Sequence, residues 1–556
     1  MKLDVPGTER LRMPRRVLVL AVAALIVLTG SGGSCSEGRH EPTTPAVPDV
    51  QPAALGAPDL RVVVLTDLKG YLEPCGCTSH PLGGLDRLAA QMTALRADGA
   101  PTVFVAAGNL FNDADRHGVD PTLAATQEEW RAQTVASALS SIGLSAATLG
   151  PADLRDGAAR LGALAAASHF AFVASGASVM GPAESAMVHD HFVVTAGARH
   201  VGIIGVSAWE ASDLVRVPSD PQAALTAAAT AARAEGADVV IALIDGTRRD
   251  ARRFASSLDG VALVVAGGVE EDEAHPPAAN GAIVASAGQQ GQGVAVIELY
   301  GLASGGEWTD ASIWSRTEER DRNVRDATAL RARIAEWERD GTSAADIATQ
   351  RERLAGMERD IAAAARAPEV HGRAFVARYV SLPDTAPRDA SVQAMLDDYS
   401  RRVNDHNRTA LAGVLPPPLG EGQAGYVGTT RCGECHAEER TWWLTTLHGH
   451  AYQTLVDVHK EYNLSCVGCH VTGYNRPGGS TVAHVGEHGE LQDVGCENCH
   501  GPGSLHASDP TTGRIARDMG EDTCLRCHTP EHSDRFVYEA YRRMMIAPGH
   551  GMPSEG

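Results

Sequence analysis

A five-residue pattern occurs four times between Cys432 and His528. It reads Cys432-Gly-Glu-Cys435-His436, Cys466-Val-Gly-Cys469-His470, Cys496-Glu-Asn-Cys499-His500 and Cys524-Leu-Arg-Cys527-His528. Two thiols at this spacing can add across the vinyl groups of one porphyrin, and the histidine that follows directly can then bind its iron from below. The pattern predicts four covalently bound c-type haems, with His436, His470, His500 and His528 as proximal ligands. Zinc is the other chemistry of Cys-x-x-Cys. Zinc pairs its knuckles two at a time, however, and gives no reason for a histidine after every second cysteine.

Twelve of the 22 histidines fall after Tyr426. Four belong to the motifs, which leaves His448, His450, His459, His484, His488, His506, His532 and His550 for at most four distal positions. Histidine on both faces keeps an iron low-spin and confines it to carrying electrons, whereas an open face permits chemistry on a small ligand. Around the motifs stand Tyr426-Val-Gly-Thr, Trp442 to Leu447-His448-Gly-His450-Ala451, Cys469-His470-Val-Thr-Gly-Tyr474, Gly495 to Gly501-Pro-Gly-Ser-Leu-His506, and Gly549-His550-Gly551. In this order they resemble the tetrahaem cytochrome c-554 family over nearly the whole of residues 426–556. The resemblance implies stacked haem pairs, electron transfer, and His448, His450, His506 and His550 as distal candidates.

Ahead of this region, Asp59 to Leu302 alternates short β-branched runs with alanine-rich helical ones. Strands are predicted at Leu60–Thr66, Thr102–Ala107, Ala171–Ala174, His191–Thr195, Val201–Val206, Val239–Ile244, Val261–Ala266, Ala282–Ala285 and Val294–Tyr300. Helices are predicted at Leu85–Ala97, Glu128–Ser141, Pro221–Glu235 and Arg249–Ser257, giving an α/β body around a mainly buried sheet. Thr66-Asp67-Leu68-Lys69-Gly70, Gly83-Gly84-Leu85-Asp86-Arg87, Gly108-Asn109 and Leu149-Gly150-Pro151 resemble the successive motifs of the 5′-nucleotidase branch of the metallophosphoesterases. That likeness implies a layered sandwich with a two-metal site on the loops at the strand ends.

Most of the ligands such a site needs are replaced. Asp67 stands at the first ligand position, but Lys69, Asn109, Pro151-Ala152, Asp245, Val269 and Glu271 stand where the family carries histidines, a bridging aspartate and an Asn-His pair. Two cations need several anionic or imidazole donors, so the domain is expected to be degenerate and non-hydrolytic. Lys69 beside Asp67 can supply the positive charge a metal would have given. At the rim of this site Cys75 and Cys77 form a Cys-x-Cys pair, with His80 close behind. Eight of the eleven cysteines are assigned to haem and Cys35 to the leader, so these two have no other partner in the chain. Two readings stay open: a thiolate pair that binds a soft metal or exchanges electrons, and a structural, oxidised pair.

The remaining segments complete a multidomain layout. Residues 1–35 read as an export signal, with Arg10, Arg12, Arg15 and Arg16 before the apolar run Val17–Thr29. Cys35 follows Gly-Gly-Ser and is either lipidated, as in a lipoprotein, or lost by simple cleavage. Residues 36–58 are a proline-bearing linker, and 59–302 the metallophosphoesterase-like domain. Residues 303–425 form a helical connection whose Leu330, Ile334 and Trp337 on one stripe, and Leu354, Met357 and Ile361 on another, predict an antiparallel hairpin. A strand at Ala374–Leu382 and a helix at Val392–Val403 follow. Residues 426–556 are the haem-packed domain, mostly α and irregular. The net charge of −21 excludes a nucleic-acid binder and favours redox partners with basic patches. The expected function is electron transfer in the periplasm or outer cell envelope, with membrane attachment through any lipid on Cys35. The alternatives are a haem enzyme acting on a small inorganic nitrogen or oxygen compound, and a phosphoesterase with an appended cytochrome.

Overall fold

The structure, a computed structural model, describes residues 49, 51–74, 81–113, 120–180, 188–269, 278–279, 281–513, 515–517, 519–529, 532–533 and 535–546. Cys35, Cys75, Cys77, His80, Glu271 and His550 lie outside the described residues. Among the described residues no helix is long and apolar enough to cross a membrane.

Two sheets stack face to face. The larger runs in the order Thr309–Asp310, Ala374–Ser381, Gly293–Tyr300, Leu60–Thr66, Thr102–Ala107, Ala146–Ala147, Ala171–Val173 and Val188–His189. Its half from Leu60 onward is parallel, and Gly293–Tyr300 is antiparallel to both of its neighbours. The smaller sheet is ordered Ala278–Ala279, Ala282–Ala285, Leu263–Gly267, Val239–Asp245, Arg199–Val206 and His191–Ala196. The strands Leu60–Thr66 and Val239–Asp245 are buried along their whole length, as expected of strands covered on both faces.

Alternation along the strands builds three apolar layers. Val62, Val64, Val103 and Val105 face Ile203, Ile241, Leu243 and Val265 between the sheets. Val63, Leu65 and Phe104 face the helices Leu85–Arg96, Pro121–Ile142 and Ala390–Ala410. Ile204, Val240 and Ile244 face Pro221–Ala234 and Arg248–Ser257. The result is a four-layer α/β/β/α sandwich. The helix Pro121–Ile142 starts seven residues before the expected Glu128. Asp120 caps its first amides, proline occupies its first turn, and Gly143 ends it at a φ of 85°.

Residues 303–425 do more than connect. The helices Ile313–Arg339 and Ala344–Ala365 form the expected hairpin, tied by Arg331 to Glu358 at 2.7 Å and Arg351 to Glu338 at 2.5 Å. The strand Ala374–Ser381 then returns to pair with Gly293–Tyr300, and Ala390–Ala410 packs on the same sheet's outer face. The larger sheet therefore draws strands from both sides of the hairpin.

The region after Tyr426 is built differently. Its helices are short, from four to seven residues. It joins the sandwich through a buried polar knot on two long helices. Gln127 Nε2 donates to Asn463 Oδ1 at 3.0 Å and Ser465 Oγ at 3.2 Å, while its Oε1 accepts from Leu464 N at 3.1 Å and Asn407 Nδ2 at 3.0 Å. Asn407 also donates to Tyr462 O, and Asn404 accepts from Tyr462 N, both at 2.9 Å. Gln127→Ala would strand several of these groups in a dry interface, so a stability loss of about 1–3 kcal/mol is expected. A denaturant midpoint within error of wild type would contradict the role given to this knot.

Candidate functional site

Each Cys-x-x-Cys-His sequence occupies about one helical turn. His436 N reaches Cys432 O at 3.0 Å, and His528 N reaches Cys524 O at 2.9 Å. The second and third motifs lie in the helices Val467–His470 and Cys496–His500. One turn carries the two thiols and the imidazole together, which is what a single flat cofactor requires of them. The motifs are also brought close to one another: the helix Cys496–His500 contacts both Gly428–Cys432 and Glu521–Cys524. Cys432, Cys435, Cys496, Cys499 and Cys524 are free thiols.

The histidines are held in consistent orientations. Nδ1 of His470 meets Ala451 O at 2.5 Å, and Nδ1 of His500 meets Ala516 O at 2.7 Å. His528 Nδ1 lies 3.0 Å from Ser533 Oγ. A carbonyl can only accept, so in His470 and His500 Nδ1 carries a proton, and in the neutral ring Nε2 is the nitrogen that can bind a metal. His506 follows the same rule, with Nδ1 at 3.1 Å from Gly513 O.

Four of the distal candidates separate into three groups. The rings of His436 and His506 lie with centroids 6.4 Å apart and planes 24° apart. Those of His448 and His528 lie 6.0 Å apart. Two imidazoles bound to opposite faces of one iron would have centroids roughly 6 Å apart, given metal–nitrogen bonds of about 2 Å. His448 is half-buried, and burial pushes its pKa down, with His528 and His470 nearby adding to the effect. His450 is exposed and spends its Nε2 on Leu444 O at 2.6 Å, so it is not brought to a motif histidine. His484 does the same with Ala412 O at 2.7 Å. His550 is outside the described residues.

The apolar surface of this region fits a flat hydrophobic cofactor. Of the eleven large apolar side chains exposed among the described residues, seven are Leu444, Leu447, Val458, Leu505, Leu525, Val537 and Met544, all after Tyr426. Leu447 is 89% exposed, two residues from a glycine between the candidate ligands. Side chains of this kind are normally covered, and porphyrin faces would cover them. Cysteines in pairs one turn from an imidazole, and uncovered apolar side chains around them, together fit c-type haem.

Glu497, the second residue of the third motif, drew no attention in the sequence. It is 2% exposed and accepts hydrogen bonds from Val427 N at 3.0 Å and from Gly428 N and Gly503 N at 2.7 Å. It thereby ties the first motif's entry to the loop that leads to His506. A glutamate whose partners are backbone amides, two of them 69 and 70 residues away, has no sequence signal beyond its position inside the motif.

In the sandwich, the loops at the strand ends bring together Asp67, Asn109, Asp153 and Asp245. The Asp67 carboxylate is turned into the backbone, where it accepts from Asn109 N at 3.1 Å and Gly268 N at 2.6 Å. Asp67 and Lys69 both have positive φ, at 43° and 54°, an uncommon state for side-chain-bearing residues. A Cβ on Gly108 would meet Asp67 Oδ1 at 2.4 Å, so the carboxylate fills the pocket itself. Asn109 Oδ1 accepts from Ala152 N at 2.9 Å, and Lys69 Nζ donates to Gln289 Oε1 at 2.7 Å. Asp153, also missed in the sequence, takes three amides from Leu110, Phe111 and Asn112 at 2.8–3.0 Å.

Four Cys-x-x-Cys-His motifs thus stand in a region joined to a four-layer α/β sandwich. Residues 431–501 match the family of cytochrome c554 and c-prime. Cytochrome c-554 of Nitrosomonas europaea is 35% identical over 116 residues, which are 18% of this chain and 48% of that protein. The chain thus spans about half the length of the curated relative it matches. Among solved structures, a 5′-nucleotidase precursor from Thermus thermophilus aligns with TM-score 0.43 and 17% identity over 66% of this chain and 61% of its own. The Thermus thermophilus sulfate thiohydrolase SoxB aligns with TM-score 0.41 and 12% identity over 63% and 62% of the two chains. The calcineurin-like phosphoesterase YfkN of Bacillus subtilis aligns with TM-score 0.36 and 18% identity, over 43% of this chain and 84% of its own.

Burial pushes Asp153 up to about 7, against its three amide donors and with Asp245 adding repulsion. Burial likewise pushes Asp245 up to about 7, against one amide from Ala208 and with Asp67 adding repulsion. Both folded values stand above the unfolded value of about 3.9. The stability these groups contribute is therefore present at low pH and is lost as pH rises through about 7. The thermal midpoint should fall between pH 5 and pH 8, and Asp245→Asn, which cannot ionise, should make that fall smaller. An unchanged fall in Asp245→Asn would contradict this reading of the cluster.

Proposed function

We propose that this chain is an exported tetrahaem c-type cytochrome that carries electrons between redox proteins, with the phosphoesterase-like domain serving as a non-hydrolytic docking or sensing module. The observation that carries the reading is the set of four one-turn Cys-x-x-Cys-His motifs, two of whose histidines, His436 and His528, stand about 6 Å from a second imidazole. Haem, once bound, supplies iron centres that gain and lose one electron. The chain's part is to hold those centres close, to orient their ligands and to shield them from water.

Eight thiols attach the cofactors: Cys432 with Cys435, Cys466 with Cys469, Cys496 with Cys499, and Cys524 with Cys527. His436, His470, His500 and His528 are the proximal ligands. His506 faces His436 and His448 faces His528 as distal ligands. His450 is withdrawn from that role, because its Nε2 is already committed to Leu444 O, and His550 remains the candidate for a third iron.

The sandwich is read as non-hydrolytic because Asp67 and Asn109 are consumed by backbone amides and Lys69 occupies a ligand position. Export to the periplasm or outer envelope follows from the leader and from the chemistry of haem attachment, with Cys35 as the lipidation site. The acidic charge and the haem propionates favour donors and acceptors with basic patches. Cys75 and Cys77 keep both of their readings, structural pair or reactive thiolates.

A second reading, catalysis on a small inorganic nitrogen or oxygen compound, is favoured by one feature. His450 and His484 both spend Nε2 on carbonyls, which thins the supply of distal ligands and favours one iron with an open face.

Electron paramagnetic resonance separates these readings, since an open iron gives a high-spin signal in the wild type and saturated irons do not. In either case His506→Ala should convert one low-spin haem to high-spin without changing the number of haems. An unaltered spectrum would remove His506 from the ligand set. Hydrolysis of a generic phosphate diester with added manganese should be absent, and turnover abolished by Asp67→Ala would overturn the non-hydrolytic reading.

A further inference from the structure

The helix Pro121–Ile142 belongs to the sandwich, yet one of its faces is fastened to the segment that leads into Cys466. Gln127 makes the fastening through Asn463, Leu464 and Ser465. One turn further along the same face comes Arg131, beside Cys466 and the buried phenol of Tyr399. Tyr399 is buried and Arg131 nearly so, its side chain 13% exposed, at a place where the α/β domain meets the segment that leads into Cys466.

Arg131 is incompletely compensated there. Its Nη2 pairs with Glu128 of the same helix, while its Nε has no hydrogen-bond partner among the described residues. Burial pushes the guanidinium down to about 10, with the positive charge of Arg160 working in the same direction and Asp113 opposing it. A buried cation with an open donor is costly unless an anion completes its shell. Guanidinium is suited to that task, because its fork of donors matches a carboxylate. A haem brings two carboxylates of its own.

We infer that Arg131 is the counter-charge for a propionate of the haem attached at Cys466 and Cys469, so that the phosphoesterase-like domain supplies part of that haem's binding site and raises its reduction potential. The inference rests on the four-haem reading above. A positive charge held in a poorly solvated place stabilises the reduced form, which carries one more electron. The fusion then has a physical consequence: the charge of one side chain in the α/β domain acts on one haem more than on the others.

Redox titration of the full-length, haem-loaded protein, followed by visible absorption, tests this. Arg131→Gln should lower the reduction equilibrium constant of one component about tenfold, which is about 59 mV for a one-electron couple, and leave the other components in place. Arg131→Lys should restore most of the shift. Gln127→Ala, which weakens the same contact without removing the charge, should leave that component near its wild-type position. No shift in Arg131→Gln, or an equal shift in Gln127→Ala, would overturn the inference while leaving the cytochrome reading intact. A preparation without haem would instead overturn that underlying reading, and this inference with it. Should Arg131→Gln fail to fold, infrared difference spectra of the wild type with and without 15N-labelled arginine decide. Guanidinium bands that change on reduction support the pairing, and their absence overturns it.

Discussion

Among the described residues after Tyr426, side chains close a small apolar cluster around Val467, Val471 and Val482 and leave much other apolar surface open. The helices there are too short to present long apolar faces, and Leu444, Leu447, Leu505, Leu525, Val537 and Met544 are left uncovered by protein. What can satisfy them is flat apolar material fixed at defined places, and the paired thiols supply the fixing points. Nearly every other feature of the region serves that constraint. The motif turns bring sulfur and imidazole to one side, carbonyls hold a proton on Nδ1 of His470 and His500, and Glu497 gathers three amides so that the loops around the first and third motifs keep their spacing.

The sandwich obeys the opposite rule, since its layers are filled by its own valines, leucines and isoleucines. Its strand-end loops are closed by hydrogen bonds among their own residues. Asp67, which in a two-metal site would face a cation, faces amides instead, and Asn109 reaches across to Ala152 N. The two regions meet through Gln127, Asn404 and Asn407, all buried and hydrogen-bonded, and through the ion pair of Lys460 with Glu73. Buried polar groups tolerate little displacement, so this contact holds one relative placement of the second motif and the helix Pro121–Ile142.

Much of this was legible in the sequence because the signals were local. Strands with strong β-branched runs, such as Leu60–Thr66 and Ala282–Ala285, were read to the residue, and the hairpin was visible in its apolar stripes. The early start of Pro121–Ile142 was missed because Ala124 and Leu123 pack against the haem region, a contact that periodicity within the helix cannot reveal. The place of Ala374–Ser381 inside the larger sheet was hidden for the same reason, since its partner lies some eighty residues earlier. Among the distal candidates, sequence put His448 and His450 on equal terms, and only the hydrogen bond to Leu444 O separates them. Arg131, Asp153 and Glu497 act through partners distant in the chain or through backbone amides, neither of which leaves a motif.

The most direct test is the count of covalently bound haem in the mature protein, from intact mass together with the absorbance of its alkaline pyridine complex. Four haems per chain, surviving denaturation in acid, are predicted. A colourless protein, or one that carries zinc at the paired thiols, would contradict the proposal at its root.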